Sequence, residues 1–160
     1  MFDHHSKLIS FFGELEYGVD THKDAVIISP GTTESVCWLK FRNKNDCIYI
    51  RPVANKAPYF LLLDDMSAAA AQAHRSKPGR LIIETSSGNY QVWVKFDQPL
   101  DYESKKALAI EAGAVPDAHP TTSRWRRASG LLNRKPNPKT RNTDGSHFRS
   151  RFVAVSLNCS

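Results

Sequence analysis

At 160 residues the chain is sized for one domain, and its 41% apolar content is ordinary for a globular protein. No run of about 18 apolar residues is present, which excludes a helical membrane span. The net charge of +6 is unevenly spread: residues 118–160 hold nine Lys/Arg against the single acid Asp144, a local +8, while the first 117 residues carry −2.

Within residues 5–17, Leu8, Ile9, Phe11, Phe12 and Leu15 recur at helical spacing, broken by Gly18. Residues 25–28, Ala-Val-Ile-Ile, read as a short strand or a helix end, stopped by the turn at Ser29-Pro30-Gly31. Residues 36–41 and 48–51 read as two strands joined by the turn 43–46, a plausible hairpin. Residues 57–63 form a third expected strand, and an Ala-rich helix over 67–75 stops before Pro78-Gly79. Strands over 80–84 and 91–96 flank the polar loop 85–89, and a helix over 102–112 ends at Gly113, a favoured C-cap residue. Residues 152–157 are a last strand or the start of a truncated region. The order predicts an α+β fold, a sheet with an RRM-like core and helices packed on one face. A single domain over 1–160 is expected, with a basic C-terminal element from about residue 118.

That basic block points to a polyanion partner, nucleic acid above all, or to a solvated tail. Trp125, Pro136 and Leu131-Leu132 interrupt its charges and favour a folded contact surface. Cys37, Cys47 and Cys159 have no CxxC spacing and no histidines at zinc-finger distances, so reduced thiols are expected and zinc is not. The N-terminus lacks the basic and apolar regions of an export signal, so a cytoplasmic location is expected. The adjacent His4-His5 is not a metal motif, and His119, beside Asp117, either touches a phosphate or is an exposed loop histidine.

The apolar run from Phe60 ends abruptly in Asp64 and Asp65. Adjacent carboxylates repel unless a cation neutralises them, and Mg²⁺ or Mn²⁺ prefers such hard oxygen ligands. The pair is therefore a divalent-metal site for phosphoryl or nucleotidyl transfer, or a turn capping the helix that follows. The Gly88-Asn89 loop either approaches a phosphate closely or makes a hairpin turn. Tyr90, Trp93 and Trp125 either stack a base or pack in the core.

Three patches stand in sequence: Asp64-Asp65; Glu84-Thr-Ser-Ser-Gly-Asn-Tyr-Gln-Val-Trp93; and Asp117-Ala-His-Pro120 followed by Arg124 and Gly130-Leu-Leu-Asn-Arg-Lys-Pro136. Their order and spacing resemble the RepB-type primases of mobilisable plasmids, a branch of the archaeo-eukaryotic primase superfamily. Ile50-Arg51-Pro52 is similar to that family's short Arg-Pro strand, and the resemblance covers roughly residues 36–140. It implies a mixed sheet of RRM-like type with its active site on the open face. It also implies Mg²⁺- or Mn²⁺-dependent synthesis of short primers on single-stranded DNA from nucleoside triphosphates. The setting would be replication of a plasmid, phage or integrated element, with a helicase or other replication protein as partner.

Carried over by position, Asp64, Asp65 and Asp117 are the catalytic and metal-binding carboxylates, with Asp97, Asp101 and Glu84 competing for the third place. Ser87, Gly88, Asn89 and Gln91 would bind the nucleotide, with Arg124 and Arg127 on its triphosphate. Arg51, Tyr90, Asn133, Arg134 and Lys135 would contact DNA. The family's second motif often carries a histidine; its absence here matches the RepB branch. RepB-type primases commonly add a helical domain after the catalytic one, which this chain would receive from another protein, lack as a fragment, or do without at the cost of site preference. Two other classes stay open: a non-catalytic RRM-like module for single-stranded nucleic acid, against which the acidic pair argues, and a metal-dependent nuclease. A rolling-circle relaxase is not expected, because no His-x-His occurs.

Overall fold

Leu8, Phe11 and Phe12 line one face of α1 (Phe2–Phe12), and the chain leaves that helix at Gly13. Gly13 has φ +75°, a conformation glycine adopts without a Cβ penalty. The expected helix over 5–17 is thus shorter, and Gly18 lies inside β1 (Leu15–Asp20) rather than breaking a helix. The computed structural model describes residues 2–20, 25–28, 33–113, 126–127, 131–134 and 141–157. Residues Ala25–Ile28 form strand β2.

The stretch expected as a strand at 36–41 is helix α2 (Thr33–Arg42). Its buried positions are Val36 and Leu39, followed by Asn43 just past the helix end, a spacing of three and four that only a helix turns to one side. The expected hairpin therefore does not form. β3 (Ile48–Pro52) pairs antiparallel with β1 instead, Tyr17 opposite Ile50.

A single 3₁₀ turn (Ala57–Tyr59) leads into β4 (Phe60–Met66), α3 (Ala68–His74), β5 (Arg80–Ser86), β6 (Asn89–Lys95) and α4 (Tyr102–Glu111). β7 (Arg126–Arg127) and β8 (Arg151–Val155) follow. The α+β class is as expected. In place of one mixed sheet the described residues form two four-stranded sheets, β2-β1-β3-β7 and β4-β6-β5-β8, and every described ladder is antiparallel.

Side-chain alternation sorts the second sheet into two faces. Phe60, Leu62, Leu81, Ile83 and Trp93 join α1 and the first sheet in the larger core. Leu61, Leu63, Ile82, Val92 and Val94 pack with Ala71 of α3 and Ala109 of α4. Helices thus cover both faces of this sheet rather than one. Phe12 meets Trp93 edge to face at 5.0 Å and Phe60 at 5.0 Å, contacts worth about 0.5–1.5 kcal/mol each beyond the area they bury. Among the described residues no helix is long and apolar enough to cross a membrane.

His74 closes α3 onto this layer with 5% exposure, its Nδ1 accepting from Arg80 Nε at 3.3 Å. Burial lowers its pKa from 6.5 to about 4, helped by the charges of Lys77 and Arg80. The folded state therefore holds the ring neutral while the unfolded chain takes up its proton near pH 6.5. The contribution is complete above that pH and declines as pH falls toward 4. Urea midpoints measured from pH 7 to 4 should drop for the wild type. His74→Gln, which keeps a donor and an acceptor, should show a shallower drop; parallel curves would remove His74 as the cause.

Candidate active site

Successive side chains of a regular strand point to opposite faces, which would separate Asp64 from Asp65. β4 breaks its register at this dipeptide. Leu63 pairs with Val92 and Met66 with Tyr90, so two residues of β4 stand where β6 has only Gln91. Asp65 absorbs the extra residue at φ +52°, the one non-glycine residue in the left-handed region among those described. Aspartate tolerates that region better than most residues but still at a cost.

The bulge brings both carboxylates to one face. Gln91 Nε2 donates to Asp64 Oδ1 at 3.0 Å, and Asn89 Nδ2 donates to Asp65 Oδ1 at 3.0 Å. Asn89 and Gln91 are alternate residues of one strand, so the acids they hold lie side by side. The Asp65 amide adds a second donor to Asp64 Oδ1 at 3.1 Å. Neither acid caps α3, because Ser67 does, accepting from the Ala70 amide. The helix-cap reading of the pair is set aside on that ground.

The β5–β6 hairpin turns at Ser87 and Gly88, both exposed, with Gly88 at φ +73°. Three of its groups donate within the protein. The Gly88 amide donates to Glu84 Oε1 at 3.2 Å, and the Asn89 and Gln91 side chains hold the acidic pair. Of the residues expected to bind a nucleotide, Asn89 and Gln91 also position the carboxylates. Tyr90 alternates to the other face, against the layer of α3 and α4. Its phenol pKa is raised by burial first, then by the charge of Glu84 and a hydrogen bond to it. Trp93 is fully buried core.

Glu84 is 4% exposed and also accepts from Arg151 Nε on β8. Sequence reasoning named Glu84 only as a spare metal ligand and missed Arg151. The pair is 67 residues apart, and only the β5–β8 ladder brings it together. Of the other contenders for a third carboxylate, Asp101 caps α4 through the Ser104 amide at 2.8 Å, and Asp97 is exposed on a loop.

The basic element is stitched into the fold. Asn133 is 3% exposed; its Nδ2 donates to Thr85 O at 3.0 Å, so its side chain is not offered to a template. Arg134 Nε donates to Asn43 O at 2.8 Å. Arg51 pairs with Glu16 across the β1–β3 ladder at 2.6 Å. Arg127 stands in β7 opposite Tyr49. Asp117, Arg124 and Lys135 lie outside the described residues, as do His119, Trp125 and Cys159.

Among the described residues no three His, Cys, Asp or Glu side chains gather as a metal cluster. The acidic pair has a further oxygen beside it. Gln91 Oε1 is buried without a hydrogen-bond partner, while Nε2 of the same amide holds Asp64. Two carboxylates and an orphaned amide oxygen suit a hard divalent cation in donor chemistry and do not suit zinc.

The sequence profile of the RepB DNA-primase N-terminal domain matches residues 20–156. Mobilization protein A of Escherichia coli is 33% identical over 111 residues, which is 65% of this chain but only 16% of that relative's length. The crystal structure of the primase RepB′ superposes with a TM-score of 0.75 at 23% identity, covering 99% of this chain and 57% of that one. The catalytic domain of RepB′ in complex with initiator DNA gives 0.75 at 22% identity, covering 99% and 86%. The archaeo-eukaryotic primase domain of the cyanophage S-2L primase-polymerase gives 0.60 at 14% identity, covering 100% and 93%. At these identities the structural likeness speaks for the fold.

Proposed function

This chain belongs to the RepB DNA-primase N-terminal domain family, and from that premise we propose that it synthesises short primers on single-stranded DNA by metal-dependent nucleotidyl transfer. The observation that carries the reading is the β4 bulge, which sets Asp64 and Asp65 on one face with Gln91 Oε1 beside them. A nucleic-acid-binding surface gains nothing from two carboxylates there, since they repel phosphates. Phosphoryl transfer needs such a pair.

Asp64 and Asp65 would hold Mg²⁺ or Mn²⁺ with Asp117 as the third carboxylate. Bound there, the cation supplies charge neutralisation for the phosphates and lowers the pKa of the attacking hydroxyl. The chain's own groups do the rest. Asn89 and Gln91 fix the carboxylates, and Glu84 fixes the turn that carries Asn89. Ser87 at the turn tip, with Arg124 and Arg127, is assigned to the incoming nucleotide, and Lys135 with Arg134 to the template. The setting is cytoplasmic replication of a plasmid, phage or integrated element, beside a helicase or other replication protein.

Labelled nucleoside triphosphates and a single-stranded template test this directly. Short products are expected with Mg²⁺ or Mn²⁺ and none after excess EDTA, with activity restored by adding the metal back. Template fragments in place of new strands would make the chain a nuclease. Synthesis that persists in EDTA would remove the metal from the mechanism.

A further inference from the structure

Alternate residues of the extended segment 131–134 face opposite ways. Asn133 reaches Thr85 beside the hairpin, while Leu132 and Arg134 turn toward the end of α2. There Asn43 acts as a clamp. Its Oδ1 accepts from the Leu132 amide at 2.7 Å, its Nδ2 donates to Leu132 O at 3.0 Å, and its backbone oxygen takes Arg134 Nε. The Ser150 amide closes the other side on Leu131 O at 2.9 Å. The result is a cavity of about 330 Å³ with Leu131 and Leu132 as its floor and Lys40, Lys44, Arg134 and Arg149 around it.

Among the described residues the lining holds four cationic side chains and no carboxylate. Like charges gathered on one surface attract an anion. Next to them Phe41 stands 62% exposed, with the Lys44 ammonium 5.3 Å from its ring centre. A large exposed aromatic interleaved with cations is what a single strand uses: phosphates on the charges, a base on the ring.

We propose that this cradle at the end of α2 is a second contact for single-stranded DNA, taking backbone phosphates on Lys40, Lys44, Arg134 and Arg149 and stacking a base on Phe41. The choice of DNA as the polyanion rests on the primase reading. Of these residues the sequence pattern pointed only to Arg134. The Lys40–Lys44 face came into view once α2 proved helical, because residues four apart share a helix face.

Anisotropy of a labelled single-stranded oligodeoxythymidylate, measured in EDTA without nucleotides across a salt series, tests it. Lys40→Gln/Lys44→Gln should weaken binding about tenfold at low salt and flatten the log–log salt slope by about 1.4, since each lost phosphate contact removes about 0.7. Phe41→Ala should weaken binding about tenfold with the slope unchanged. Both substitutions fall on exposed positions, and circular dichroism confirms the fold. Wild-type affinity and slope in both variants overturn the cradle. So does a lysine variant that loses inorganic tripolyphosphate binding while Phe41→Ala has no effect, which would assign the cations to a free triphosphate. Primer synthesis by the wild type is scored separately. A wild type that makes primers while the variants bind as it does overturns the cradle alone. A wild type that binds through the cradle but makes none keeps the cradle and overturns the primase reading.

Discussion

Asp65→Gly is expected to abolish primer synthesis, by about 10³-fold, while leaving the fold as stable as the wild type. The two effects come from one residue for separate reasons. Its carboxylate is half of the acidic pair, held by Asn89 at 3.0 Å. Its backbone sits at φ +52°, where any residue with a Cβ is disfavoured by about 1–2 kcal/mol. Glycine relieves that strain but adds about 0.5–1 kcal/mol of unfolded-chain entropy, so the net change is near zero. Asp65→Ala makes the contrast: equally inactive, but less stable by about 1 kcal/mol, because alanine keeps the Cβ and loses the short polar side chain that makes the left-handed region tolerable. Denaturant unfolding of the three proteins, with primer synthesis on the same samples, is the measurement. An active glycine variant would take Asp65 out of catalysis. Glycine and alanine variants destabilised equally against the wild type would mean that the bulge is held by the carboxylate rather than strained around it.

The acidic pair was legible because an apolar run ending in two aspartates is a local pattern, and so was the ordered set of motifs that pointed to the family. The bulge was not legible. Register belongs to two strands at once, and nothing in Leu63-Asp64-Asp65-Met66 says that Gln91 alone will stand opposite the two acids. The error at α2 has a similar origin. Residues 36–41 have β-prone side chains, and their spacing becomes decisive only when the neighbours of Val36, Leu39 and Asn43 are known. The protein contacts of Asn89, Gln91 and Asn133 were not legible either, because amide side chains look like ligand donors in sequence, whereas here each also donates to a protein oxygen.

Glu84 carries the second large expectation. It is buried, and its two oxygens are divided between the Gly88 amide and Arg151. Asn89, which holds Asp65, follows that amide by one residue. Glu84→Gln should therefore act on catalysis through the turn, as a positioning residue. Primer synthesis should fall about 10–100-fold, the effect assigned to a loss of supporting contacts around a site. Stability should fall by about 1–3 kcal/mol as the Gly88 amide and Arg151 lose a charged acceptor. Arg151→Ala separates the two contributions. Arg151 is 67% exposed and is readily replaced by water at its own end, but its loss leaves a 5% exposed carboxylate without its cation. If Glu84 works by setting the turn, Glu84→Gln should raise the KM for nucleotide or lower kcat, while Arg151→Ala should lower stability more than activity. A double-mutant cycle should then show coupling of about 1 kcal/mol or more in stability. Full activity in Glu84→Gln with an unchanged unfolding midpoint would show that the turn holds its shape without this carboxylate, and that Asn89 needs no support from β5.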